Sequence, residues 1–224
     1  MNVEHHLQAD TLAAYAAGSL PAAMALVVTC HTEVCASCRS ELRRAEALGG
    51  HMLERLPLQP VSASARDAML ALLDSQPEPA AAPARPAPSA QQSAVKGGIF
   101  MPNALKNLLQ ADSYEQLRWR KLAPGIEKLE LPLSEGRSFM LRIAEGKSMP
   151  VHTHKSSELT LIMQGGYSDA LGDFNVGDIA DLDGSVEHQP VAFADEPCIC
   201  LAGMDGGLRF RALIPTLLKP FTRL

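Results

Sequence analysis

Apolar positions change their period once along the chain. Up to about residue 75 they recur every three or four places, the spacing that gives a helix a single buried stripe. ADTLAAYAAG (residues 9–18) predicts a short helix that Gly18 can end, since glycine accepts the left-handed conformation there. Ser19 is the expected cap of the next helix, with Pro21 in its first turn. A third helix is expected from Ser37 through ELRRAEAL to Gly49 or beyond. A fourth, SASARDAMLALLDS, starts at Ser62 or Ser64 and sets Ala65, Met69, Leu72 and Leu73 on one face.

The stretch PEPAAAPARPAPSAQQSAVK (residues 77–96) breaks this pattern, with five prolines and one large apolar residue, Val95. It cannot build a core and predicts an extended tether, reaching up to about 60 Å at about 3.1 Å per residue. After it comes a short helix, ALKNLLQ, and then many short runs such as GIEKLELPL, SFMLRIAEG, ELTLIMQGG and PCICLAG, each bounded by glycine, proline, aspartate or serine. Strands at that spacing imply a sandwich or small barrel.

Composition narrows the function classes. The 224 residues are 46% hydrophobic and 20% charged, ordinary for a folded chain, and the net charge of −5 disfavours a generic nucleic-acid binder. Residues 1–75 carry five arginines, no lysine and eight acids, so their balance is also acidic. The opening MNVEHHLQAD does not have the form of a signal peptide, and the apolar run AAMALVVTC (22–30) is too short to span a bilayer. Five cysteines without an export signal predict reduced thiols in a cytoplasmic protein.

Two constellations carry chemistry. In HTEVCASC, His31, Cys35 and Cys38 fall at i, i+4 and i+7, which share a face on a continuous helix and converge equally well across a helix–turn–helix. Imidazole and thiolate suit zinc, whose structural sites take four ligands, and His5 or His6 is the nearby source of the fourth. A redox CxxC would need a βαβ setting that this helical region does not offer. A plain reading as core cysteines leaves His31 unexplained.

HH near the start, HxxxCxxC at a helix junction and a further helix resemble the zinc-binding anti-sigma family of bacteria. HLQADTLAAYAAGSLPAA and CRSELRRAEALGG resemble its ChrR group in particular. The resemblance extends over the whole chain. It implies that His6, His31, Cys35 and Cys38 are the zinc ligands. It also implies that the helical domain is held by an extracytoplasmic-function (group IV) sigma factor, whose polymerase-binding surfaces it hides.

The second constellation lies in GKSMPVHTHKSSELTLIMQG (146–165). His152 and His154 point to one face of a strand, and Glu158 opens the next. The pattern of Gly146, His152, His154, Glu158 and Gly165 resembles the first cupin motif. Gly177 and His188 keep the spacing of the second, although Asp183, Ser185 and Ala192 replace its proline, glycine and asparagine. Three imidazoles and a carboxylate form a harder site, open to zinc, iron(II), manganese or nickel. Cys198 and Cys200, Trp119 and the run Phe139–Met140–Leu141 are expected to be core.

The chain is therefore expected to be a two-domain α plus all-β protein. Residues 1–76 form a four-helix zinc-binding anti-sigma bundle, 77–98 a Pro/Ala-rich linker, and 99–224 a cupin-like β-barrel sensor. It is expected to bind two metal ions, to sequester a sigma factor and to release it under singlet-oxygen-type stress. It should contact neither nucleic acid nor membrane and should not be an enzyme. The alternative is a metal-dependent cupin enzyme, a dioxygenase or isomerase, with a zinc-binding docking domain.

Overall fold

In a computed structural model, the structure describes residues 2–75, 99–154 and 156–205, together with the backbone of 208–210. The expected tether lies outside the described residues. The chain divides into two units, Met1–Gly49 with Ala94–Leu224, and Gly50–Ser93.

Four helices open the chain: α1 (Ala9–Ala16), α2 (Ala22–Val34), α3 (Ala36–Glu54) and α4 (Ala63–Ser75). Gly18, at φ 67°, stands where the sequence expects the first helix to stop. The cap of α2 differs from expectation. Pro21 occupies it without a side-chain bond, and the Ser19 hydroxyl instead donates back to the Ala14 carbonyl at 3.0 Å. Ser19 thus closes the end of α1 rather than the start of α2.

Beyond residue 98 come α5 (Asn103–Leu109) and a cupin-like set of strands. A six-stranded antiparallel sheet runs in the order β1 (Arg120–Ala123), β2 (Ile126–Glu130), β3 (Arg137–Ile143), β11 (Cys198–Met204), β5 (Glu158–Gln164), β8 (Ile179–Leu182). A second sheet joins β10 (Val191–Ala192), β6 (Gly166–Asp169) and β7 (Gly172–Asn175). A third joins β12 (Leu208–Phe210), β4 (His152–His154) and β9 (Glu187–His188). The expected closed barrel is not formed by the described strands. β9 and β10 are each two residues long, too short to carry a continuous ladder between sheets.

The six-stranded sheet has a core on both faces. On one side Phe139, Leu141, Cys198, Cys200, Ala202 and Met204 pack with Tyr167 and Phe174, as expected for core cysteines. On the other, Met140, Leu159, Leu161, Met163 and Leu201 join Met24, Val27, Val28 and Cys30 of α2. Gly203 makes this approach possible, because a Cβ there would lie 2.4 Å from the Ala23 carbonyl oxygen. At α5, the Glu33 carboxylate accepts the backbone N–H groups of Asn103 (2.8 Å) and Ala104 (2.9 Å), tying that helix to the end of α2.

Gly50–Ser93 is built differently. Among its described residues Met52, Leu53, Leu56, Leu58, Val61, Met69, Leu70, Leu72 and Leu73 are all exposed, and α4 buries no residue. The apolar face expected of the fourth helix is thus present and uncovered.

Candidate metal centres

The first centre forms where three segments meet. α2 ends at Val34 and α3 begins at Ala36, leaving Cys35 extended between them at φ −87°, ψ 104°. Of the two geometries open in the sequence, the break between helices is the one adopted. It turns Cys35 and Cys38 inward beside His31. The chain before α1 brings the fourth group, because His6 Nδ1 lies 3.2 Å from Cys35 Sγ and 3.7 Å from Cys38 Sγ. His31 Nε2 lies 3.3 Å from Cys38 Sγ, and the donor atoms of all four residues fall within 4.8 Å of one another. Zinc bonds of about 2.0 Å to nitrogen and about 2.3 Å to sulfur, at tetrahedral angles, place neighbouring donors about 3.5 Å apart. The set matches that spacing.

His5, the other candidate in the sequence, turns away. Its ring stacks on Phe174 at 4.1 Å and its Nε2 bonds the Asp173 carbonyl oxygen at 3.0 Å. Two carboxylates of the cupin-like region hold the rest of the opening segment. Asp178 Oδ1 accepts the backbone N–H groups of Glu4 (2.7 Å) and His5 (3.1 Å), and Asp181 Oδ2 accepts that of Gln8 at 2.9 Å. His6 lies between these clamps.

The electrostatics favour a cation. His31 is fully buried and its Nδ1–H donates to the Gly177 carbonyl at 3.1 Å, which leaves the Nε2 lone pair facing Cys38. Burial is the main cause that lowers the His31 pKa to about 4, so the ring stays neutral and able to ligate at neutral pH. Burial likewise pushes the Cys38 thiol up to about 12. Without a metal the pocket holds a thiol there, and a divalent cation would expel that proton as it binds.

The second candidate set rests on strand pairing, and among the described residues only the first set gathers three or more ligating groups. β4 and β9 place His152 directly opposite His188, and their Nε2 atoms lie 3.1 Å apart. His152 Nδ1 lies 2.8 Å from the Pro150 carbonyl oxygen, which only accepts, so that nitrogen carries the proton. His188 Nδ1 lies 2.9 Å from Oδ2 of Asp169, whose side chain is fully buried. With both Nδ1 atoms donating, two Nε2 lone pairs face each other, an arrangement that calls for a proton or a cation between them. Glu158 is buried at the start of β5 and its Oε1 accepts the Thr160 hydroxyl at 2.8 Å. His154 lies in β4, with its side chain outside the described residues.

Asp169, Asp178 and Asp181 belong to no motif of the sequence. Asp169 could have been sought as a carboxylate two residues after buried Tyr167 on one strand. Nothing in the sequence ties the other two to residues more than 170 positions earlier.

Three comparisons with known proteins agree. Residues 110–205 match the ChrR cupin-like domain family. The chain is 36% identical over 230 residues to the anti-sigma-E factor ChrR of Cereibacter sphaeroides, covering all of both chains. A crystal structure of Rhodobacter sphaeroides SigE in complex with the anti-sigma ChrR aligns with a TM-score of 0.72 and 33% identity, over 91% of this chain and 100% of that one.

Proposed function

The chain belongs to the ChrR family of anti-sigma factors, and from that premise we propose that it sequesters an extracytoplasmic-function sigma factor and releases it under singlet-oxygen-type stress. The full-length likeness to an anti-sigma-E factor carries this reading. The uncovered apolar side chains of residues 52–73 support it, since a stretch with so little core gains stability by burying them against a partner. It acts as a regulator rather than an enzyme.

In this reading His6, His31, Cys35 and Cys38 hold a zinc ion that organises the inhibitor. Residues 1–76 make up the inhibitor, 77–98 the linker and 99–224 the cupin-like sensor. His152, His154, Glu158 and His188 hold a second metal in that sensor. The opposed Nε2 atoms of His152 and His188 and the buried carboxylate of Glu158 favour this assignment. The protein works in the cytoplasm; among the described residues no helix is long and apolar enough to cross a membrane.

Coexpression with candidate group IV sigma factors tests the proposal. One should copurify in a stable complex and lose transcription activity in it, and singlet oxygen should restore that activity in cells. Turnover of a small substrate by the purified chain, with no sigma factor captured, would overturn it in favour of a cupin enzyme.

A further inference from the structure

Asp178 sits between β7 and β8, in the cupin-like region, and is fully buried. Its carboxylate is not spent on a cation. Oδ1 takes the N–H groups of Glu4 and His5, and Oδ2 takes that of Asn175 at 2.9 Å. Ile179 N–H continues the contact by donating to the His5 carbonyl at 3.3 Å. The next residue along the opening segment is His6. One position before Asp178, Gly177 adopts φ 95° and its carbonyl receives the Nδ1–H of His31. One loop of the sheet region therefore touches both histidines of the thiol-containing cluster, one through the segment that carries it and one through its ring.

Burying a carboxylate is costly unless its oxygens are satisfied, and here three backbone donors satisfy them. Two of the three belong to the segment that must be placed for His6 to reach Cys35. We propose that Asp178 is a positioning residue for the N-terminal metal cluster, holding His6 in ligating position from the cupin-like sheet. The sheet region is then part of the outer shell of the inhibitor's metal site, and its state bears directly on metal retention. This rests on the reading of His6, His31, Cys35 and Cys38 as metal ligands.

Cobalt(II) titration of the full chain, after zinc removal by chelation, tests it. Charge-transfer absorption from thiolate to cobalt reports the cysteine-containing cluster alone, whatever binds at the histidine and glutamate set. Asp178→Ala should weaken cobalt binding at that band about ten- to a hundredfold, the usual cost of losing a group that orients a ligand. Asp178→Asn, which keeps one acceptor oxygen, should fall between it and the parent and serves if the alanine variant fails to fold. Ile143→Ala, a core truncation in the other face of the sheet, should lower thermal stability and leave the cobalt affinity unchanged. Affinity within twofold of the parent for Asp178→Asn and Asp178→Ala, or equal weakening by Ile143→Ala, overturns the proposal. His6→Ala separates the two readings. If it leaves the thiolate band unaltered, the ligand assignment itself fails; if it weakens the band while the Asp178 variants do not, only the positioning role fails.

Discussion

The two candidate metal centres orient their histidines by the same device and differ in how far they reach along the chain. His31, His152 and His188 each place Nδ1 against an acceptor, a carbonyl for the first two and the Asp169 carboxylate for the third, so each presents Nε2 to its site. The histidine and carboxylate set uses residues 152–188, on β4, β5 and β9 of two sheets, and pairing of β4 with β9 brings His152 and His188 together. The thiol set draws His6, His31, Cys35 and Cys38 from the first 38 residues, yet the supports around it come from Gly177, Asp178 and Asp181. The softer centre is therefore the less local of the two. Its ligands come from the N-terminal helical segment and its supports from the cupin-like region, which gives a physical route by which a change in one reaches the other.

The largest effect should follow from removing the thiols. Apparent binding energies of structural zinc are on the order of 10–16 kcal/mol near neutral pH, much of which is folding energy in a small domain. Replacing Cys35 and Cys38 together by serine should abolish metal binding at the first centre and capture of the sigma factor, read by metal analysis and copurification. The second centre should keep its metal in that variant. Retention of the sigma factor at the parent's affinity would remove zinc from the inhibitory mechanism.

Much of this was legible in the residues because it depends on short spacings. Helical periodicity located α1 to α4, and the i, i+4, i+7 pattern of His31, Cys35 and Cys38 anticipated their convergence, although the helix breaks at Cys35. The apolar run CICLAG marked Cys198 and Cys200 as core. The choice of His6 over His5 was not fixed by spacing, since adjacent residues at the start of a chain differ only in what surrounds them. Phe174 and the Asp173 carbonyl draw His5 aside, and both belong to the far end of the chain. The docking of α2 on β11 was hidden for a similar reason. Its apolar residues fit a helical bundle as well as a sheet, and only the close approach at Gly203 shows which surface they meet.

A middle-sized effect separates the centres from the other side. The Asp169 side chain is fully buried and fixes the proton on His188 Nδ1. Asp169→Ala should lower the affinity of the second centre about ten- to a hundredfold, by freeing the ring to rotate and to change tautomer. Metal analysis of the purified variant should show a deficit confined to the histidine and carboxylate set, with the thiol set fully loaded. In cells the sigma factor should remain repressed while its release by singlet oxygen is blunted. Raised activity without stress would place the second centre in the inhibitor rather than in the switch.

The smallest expected effect concerns a cysteine that takes part in neither centre. Cys30 is fully buried on α2, and burial, followed by the nearby Glu33 carboxylate, raises its thiol pKa to about 12. In an unfolded chain the same thiol ionises near its ordinary value of about 8.5. Between these values the unfolded state has lost a proton that the folded state keeps, so stability must fall as pH rises, by at most about 1.4 kcal/mol per pH unit for this one group. Below pH 8 the contribution is fully present and flat. Cys30→Ala should cost some stability at every pH through lost packing, and should also make the decline above pH 9 shallower by one proton's worth. Denaturant unfolding of the metal-loaded parent and variant at pH 7.5, 9 and 10 measures both parts. Parallel pH profiles for the two proteins would show that Cys30 ionises in the fold as freely as in the unfolded chain, and that α2 is not sealed against the sheet as its contacts with Val27, Val28 and Leu201 require.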